Sequence, residues 1–437
     1  MKLTSTRNKD INIPYAQAVL NCMPDDGGLY VPSEILDLRR WTLYCDERTT
    51  FTSIAGTMTS AFLNEEFSPI ICEKIATTAF PFSPVVKQLD DGLFMMELYH
   101  GWTGCHRDFG VSYICACIET ILAFNGGNAV FLDFTHGELG AALAKALKGK
   151  KHIKAVLVYR EGDVRGLSDE DYIWNGGNIY PVEVAGNEKD CKNMIREIFA
   201  DKTFVKENHL TVANTANIGR LLPHVFFYPY AFSKIKNKVH GDIFYALSPG
   251  NYSNLVAGLY SWKFALPLNG FILPSTSGLT TDTAGNTIMM DSFVEINKRL
   301  NNDPSDPSNL ERLEELFTGN GMLMGNFVYP SHITNSDIDN AAKELFMKYR
   351  VFADKSTSKA YAAALQQKDE ICEDEGAIVL IARDDPSIQK EFCRHTVGEM
   401  PKMSESLSLT FRPSVTGRAP IRNLEELRQI IEKVNLQ

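Results

Sequence analysis

The sequence has no C-x-x-C pair, although it holds nine cysteines. Scattered thiols in odd number supply neither a complete disulfide framework nor zinc-type ligand spacing, so reduced cysteines and no bound metal are expected. There is likewise no apolar run of membrane-spanning length, and the opening MKLTSTRNKDINIP lacks the apolar centre of a signal peptide. The expected compartment is the cytoplasm, without a membrane partner. Positive charge is in deficit: 44 Lys and Arg stand against 54 Asp and Glu, a net charge of −10. That balance excludes an extended nucleic-acid surface while leaving a local basic pocket open. Internal repeats and low-complexity stretches are missing too.

What is present is an alternation. A chain of 437 residues, 44% apolar and 22% charged, has globular composition and is too long for one ordinary core. From about residue 90, strand-like runs recur: AVFLDFT (129–135), KAVLVYR (154–160), NIYPVEV (178–184), LTVANT (210–215), DIFYALS (242–248), GFILPS (270–275) and AIVLIA (377–382). Between them lie helix-like stretches at 137–149, 191–200, 218–235, 254–266 and 336–350, and a terminal helix ends near Val434. Strand then helix, repeated, predicts parallel sheets covered by helices on both faces. Residues 276–285 and the proline-bearing 301–309 read as loops. The first 85 residues read as several short helices, giving expected domains at 1–85, 86–225 and 226–437.

Sites in such sheets lie at the strand carboxyl ends, where loops meet helix N-termini. Three glycine-bearing loops fit that description: HGWTGCHRDFG (100–110), THGELG (135–140) and SPGNYSN (248–254). Glycines permit close backbone approach, and helix N-termini favour an anion. SPGNYSN suits phosphate best, since it follows one predicted strand and opens a helix. Each loop alone is equally compatible with an ordinary strand-to-helix turn. The letters HRD and DFG in the first loop mimic a kinase, but those motifs perform separate jobs and cannot share Asp108.

Taken together the segments resemble the threonine synthase family, pyridoxal-phosphate enzymes of fold type II, over essentially the whole chain. YAQAVLNCMPDDGGLYVP (15–32) resembles its N-terminal signature, NTANIGRLLPH (214–224) its N-S-x-N-x-x-R-L-L-P-Q segment, and Met290-Asp291 with PSNLERLEELF (307–317) its M-D…P-S-N-x-E-R element. The resemblance implies an α/β architecture of two three-layer parallel-sheet lobes plus an N-terminal, mostly helical domain. It also implies the family reaction, O-phosphohomoserine to threonine and phosphate.

The first loop aligns with H-G-P-T-x-A-F-K-D-F-G, which sets Arg107 where the family has its Schiff-base lysine. A guanidinium does not lose its proton in a protein and is no usable nucleophile. Other departures gather nearby: S-G-D-T-G becomes His136-Gly137-Glu138-Leu139-Gly140, and G-N-F-G-D becomes Gly250-Asn251-Tyr252-Ser253-Asn254. E-P-H becomes Asp354-Lys355-Ser356, and A-H-P becomes Arg383-Asp384-Asp385-Pro386. Scaffold segments match while chemical ones diverge.

The expectation is therefore a protein without the family's activity, holding no covalent cofactor, with pyridoxal phosphate bound noncovalently if at all. Its partner would be a small anionic or amino-acid-like ligand or the genuine enzyme, and the chain itself a monomer or homodimer. Thr103, Arg107, Asp108, His136, Gly137, Asn217 and Arg220 are the candidate ligand-binding residues, and Gly250, Asn251, Tyr252 and Ser253 the candidate phosphate loop. Alternatives stay open: Arg107 could pair with Glu138 or Asp133, Asn217 could cap a helix, and Arg220 could pair with a surface acid. A working enzyme could use Lys355 or Lys359, and a structural subunit could have a collapsed site.

Overall fold

The computed structural model describes residues 1–436 except 284, 290–293, 319 and 374. The Met290-Asp291 element lies outside the described residues. Strands β1 (Lys2–Ser5), β2 (Ile13–Pro14) and β3 (Tyr30–Pro32) form a small antiparallel sheet in the order β2-β1-β3. The sequence reading found only helices here, because runs of two to four residues are too short to show alternation. The helices Phe51–Phe62 and Pro69–Ala79 follow, the first capped by Thr50 accepting from Ser53 N and the second carrying Pro69 in its first turn.

Two larger sheets carry the molecule. β6 (Ala129–Phe134), β7 (Ile153–Arg160), β8 (Ile179–Val184) and β9 (Leu210–Thr211) form a parallel sheet in the order β8-β7-β6-β9. β4 (Val85–Asp90), β5 (Leu93–Glu97), β10 (Ile243–Ala246), β11 (Gly270–Pro274), β14 (Val328–Ser331) and β15 (Ala377–Ala382) form the second, in the order β14-β11-β10-β15-β5-β4. Only the edge pair β4–β5 is antiparallel.

Alternate residues of each strand feed different cores, as the two-residue pleat requires. In the first sheet Phe131, Ala155 and Leu157 join a central core with the helices Arg107–Asn125 and Glu138–Leu147. Val130, Leu132, Val156 and Val158 face Ile195, Ile198, Leu427 and Ile431 on the other side. In the second sheet Phe271, Leu273, Val379 and Ile381 face the same central core, and Ile272, Ile378 and Leu380 face Ala341, Leu345 and Tyr361. The architecture is α/β, with helices on both faces of both sheets.

Sheet membership crosses the expected boundaries. β5, placed by sequence in the first lobe, pairs with β15 of the second sheet, as Phe94↔Val379 and Met96↔Ile381 show. The terminal helix Leu424–Leu436 packs on the first sheet. Parallel pairing joins segments remote in sequence, and hydrophobic periodicity carries no record of the partner.

Several elements differ locally. The stretch 218–235 is not one helix but Ile218–Leu221, a 3-10 segment Leu222–Phe226 and Phe227–Ile235. Pro223 lacks the N–H that a continuous helix would use. Within the expected loop 276–285, β12 (Leu279–Thr281) pairs with β13 (Thr287–Met289) as a hairpin. The helix Arg107–Asn125 is long and apolar enough to cross a membrane by length and composition, yet every residue from Phe109 to Ile118 is buried in the core. Eight cysteines are free and buried among the described residues.

The predicted strand 210–215 stops at Thr211 because Asp133 captures the next donors: Ala213 N donates to Oδ2 at 2.7 Å and Asn214 Nδ2 to Oδ1 at 2.8 Å. Burial pushes the Asp133 carboxyl up to about 7 despite those donors. Beyond this segment lies Arg312, fully buried in the helix Leu310–Leu316. Its guanidinium donates to Tyr30 O (3.0 Å), Thr215 O (2.6 Å), Ala216 O (2.9 Å) and Asn309 Oδ1 (2.7 Å). The neighbouring Glu311 accepts from Thr6, Arg7 and Asn302, and Asn309 donates to Thr215 and to Asn251 O. This accounts for the P-S-N-x-E-R letters: they tie three remote segments together.

Two outcomes are expected. Arg312→Met removes a charged donor from four buried acceptors, and at a net cost of about 1.5–3 kcal/mol per charged hydrogen bond it should lower the unfolding free energy by at least about 3 kcal/mol in denaturant titration. A loss below about 1 kcal/mol would contradict the clamp. For Asp133, a folded-state pKa raised above its ordinary value means stability that is present at acid pH and lost as pH rises through about 7. The difference in unfolding free energy between wild type and Asp133→Asn should therefore shrink from pH 5 to pH 8. A pH-independent difference would show that Asp133 folds as a carboxylate.

Candidate anion-binding crevice

A crevice of about 330 Å³ opens where the carboxyl ends of the strands meet the starts of three helices: Arg107–Asn125, Glu138–Leu147 and Ser253–Lys263. Arg107, Arg220 and Arg383 line it, together with His106, His224, Glu138, Leu139, Asn214, Thr215, Asn251 and Ser253. No lysine is among its lining residues. Lys355 is exposed and Lys359 half-buried on the helix Lys355–Leu365, and neither lines the crevice.

Arg107 opens its helix and has no hydrogen bond or ion pair to a described residue; neither Glu138 nor Asp133 is its salt-bridge partner. Arg220 is buried at 5% exposure. It lies across Gly110, where a Cβ would come within 1.9 Å of its guanidinium, so glycine there makes room for the arginine. Its one side-chain partner is His224 Nε2 at 2.7 Å, and its Nε, like His224 Nδ1, is buried without a partner. Burial lowers Arg220 to about 10, with the charge of Arg107 acting in the same direction, and burial pushes His224 well below the ordinary histidine range. Arg220 remains a cation facing a neutral imidazole.

The sequence-predicted residues divide. Arg107, Arg220, Asn251 and Ser253 reach the crevice, and His136 stands at its rim, half exposed and 3.5 Å from Glu188. Thr103 and Asp108 do not reach it: Thr103 donates to Asp108 through N (2.7 Å) and Oγ1 (2.8 Å), holding the 100–108 loop closed beneath Gly101. Burial pushes Asp108 up to about 6 against those two donors. Asn217 is a buried cap, accepting from Gly219 N and donating to Val19 O and Thr211 Oγ1. Gly137, at φ +128°, lies under Arg165, whose Nε donates to His136 O. These four are scaffold, since neighbouring polar groups consume their bonding capacity.

The expected phosphate loop is also partly spent. Tyr252, left-handed at φ +65°, donates N–H to Pro249 O at 2.7 Å and turns its hydroxyl to Thr276. Asn251 donates to Thr215 Oγ1 (2.8 Å) and accepts weakly from Ser253 N (3.3 Å). Gly250, at φ +53°, backs onto Arg383, with only 2.8 Å between a would-be Cβ and the guanidinium.

Arg383 was not predicted as a site residue. It follows β15 directly, and the strand-carboxyl-end rule applied to AIVLIA would have found it. Its carbonyl accepts from His106 N at 2.8 Å, and Asp385 N donates to Gly104 O, which stitches this turn to the opening loop. Behind it Cys105, His106 and Asp384 cluster with ligand-type atoms within 4.8 Å of one another. Burial pushes the Cys105 thiol far up and His106 down to about 3, and Arg383 opposes a charge on the imidazole. Burial opposes charge on Asp384 as well, but its bond to His106 and the Arg383 charge hold it well below the carboxylate range. Three nearby guanidiniums disfavour a further cation there.

A family model described as threonine synthase N terminus matches residues 2–80. Threonine synthase of Serratia marcescens is 27% identical over 320 residues, covering 72% of this chain and 74% of that one. The enzyme of Buchnera aphidicola from Acyrthosiphon pisum is 28% identical over 350 residues, covering 79% and 81%. The crystal structure of PLP-bound threonine synthase from Brucella melitensis shares the fold, with a TM-score of 0.80 and 18% identity over 100% of both chains. The N-terminal segment thus matches the threonine synthase family model, and the chain as a whole is similar to threonine synthases over most of its length.

Proposed function

We propose that this protein holds no covalent pyridoxal phosphate and that its crevice binds a small anionic or amino-acid-like ligand noncovalently. The observation that supports this is the crevice lining: an arginine opens the central helix, and no lysine lines the cavity. Covalent attachment of an aldehyde needs a neutral amine, which lysine supplies once burial lowers its pKa and guanidinium does not. The residues present therefore do not fit a covalently held cofactor.

What the lining offers is fixed positive charge beside helix N-termini, an arrangement suited to an anion. Two measurements test it. Incubation with pyridoxal phosphate, borohydride reduction and peptide mapping should give no site-specific pyridoxyl-lysine; a single modified lysine at high yield would refute noncovalent binding. Calorimetry with phosphate, pyridoxal phosphate and phosphohomoserine should detect binding of at least one. Arg107→Ala should weaken it by at least about tenfold, or roughly 1.4 kcal/mol. Absence of binding by all three at millimolar concentration would leave a purely structural subunit.

A further inference from the structure

The three arginines of the crevice come from different parts of the fold. Arg107 and Arg220 sit on helices packed beside the first sheet, whereas Arg383 leaves the end of β15 in the second. Buried Nε groups of Arg220 and Arg383 have no acceptor among the described residues, and the Arg107 side chain makes no hydrogen bond or ion pair to one, although Asp384 and Glu138 lie near enough to act on its charge. The nearby carboxylates are engaged elsewhere: Asp384 with His106, Asp108 with Thr103, and Asp133 with Ala213 and Asn214. Glu138 alone faces the cavity without a hydrogen bond or ion pair to a described residue. Three guanidiniums against the carboxylates of Glu138 and Asp384 still leave an excess of positive charge about one small cavity.

Part of the backbone that would cradle a phosphate is already engaged. A phosphate cradle uses backbone N–H groups of a glycine loop at a helix start. Here Gly137 N and Gly140 N both donate to Thr135 Oγ1, Tyr252 N donates to Pro249 O, and Ser253 N is directed to Asn251 Oδ1. Those amides are satisfied within the protein. The side-chain donors left free are planar guanidinium forks, whose geometry matches carboxylate and phosphate oxygens alike in bidentate fashion, and three of them from separate segments suit a ligand with more than one anionic group.

We infer that the ligand is a short dicarboxylic acid bridging the lobes, one carboxylate held by Arg107 and Arg220 and the other by Arg383. A cavity of about 330 Å³ restricts it to metabolite size. This rests on the anion-binding reading above and adds the ligand class and a third binding residue.

The test is calorimetry at constant ionic strength with glutarate, butyrate and inorganic phosphate on the full chain. Glutarate should bind at least about tenfold more tightly than either of the others. Arg383→Gln should bring glutarate to the level of butyrate, and Arg383→Lys should recover part of the preference. Thermal melts of both variants establish that they fold, since only the backbone of Arg383 holds the opening loop. Glutarate no tighter than butyrate, or a preference that survives Arg383→Gln, overturns the inference. Phosphate binding without glutarate binding overturns it while leaving the anion site standing, and phosphorylated acids then become its ligands. Failure of every anion, including pyridoxal phosphate and phosphohomoserine, removes the anion site itself.

Discussion

Arg312 lies inside the protein with a full charge and answers four acceptors contributed by separate stretches of chain. Tyr30 belongs to the N-terminal sheet, Thr215 and Ala216 to the segment after β9, and Asn309 to the turn before its own helix. Burying a guanidinium costs several kcal/mol unless its donors are satisfied, so the helix Leu310–Leu316 is stable in place only when all three stretches are assembled. Asn309 extends the same network to Asn251 and Thr215, which form one wall of the crevice. The cavity's shape therefore depends on a buried charge that does not line it.

A second constraint sets the crevice's charge. Burial neutralises groups that can lose or gain a proton: His106 and His224 are held neutral, and Asp133 and Asp108 are pushed up to about 7 and about 6. Arginine does not escape its charge in this way. Arg220 drops only to about 10 and stays protonated. The cavity is thus positive at neutral pH because its cations are arginines, its histidines are neutral, and the oxygens of Asp108, Asp133 and Asp384 are engaged by neighbouring hydrogen-bonding groups. The same property that makes arginine a fixed anchor for an anion disqualifies it as an amine nucleophile, so one substitution closes one chemistry and opens another.

Much of the fold was legible in sequence where a local rule operated. AVFLDFT, KAVLVYR, NIYPVEV and AIVLIA appear as strands within a residue of the predicted ends, because a strand buried on both faces reads as a continuous apolar run. The site was legible in part. Arg107, Arg220, Asn251 and Ser253 were found through loops that precede helices or through a family segment. Thr103, Asp108, Gly137 and Asn217, expected in the site, do not line the crevice: Asp108 spends its oxygens on Thr103, and Asn217 spends its amide on Val19 and Thr211. Nothing in a string of letters distinguishes a polar group that faces a ligand from one that satisfies a neighbour.

The sequence by itself determined that the chain alternates strand and helix and that a guanidinium stands at residue 107, because periodicity and side-chain chemistry are local properties. Tertiary structure alone decided which sheet each strand joins, so that β5 at residue 93 lies beside β15 at residue 378. It alone brought Arg383 across to Arg107 and Arg220, and it alone engaged the Tyr252 and Ser253 amides of the predicted phosphate loop. Parallel pairing and burial are relations between distant residues, and their free energy exists only once the distant partner has arrived.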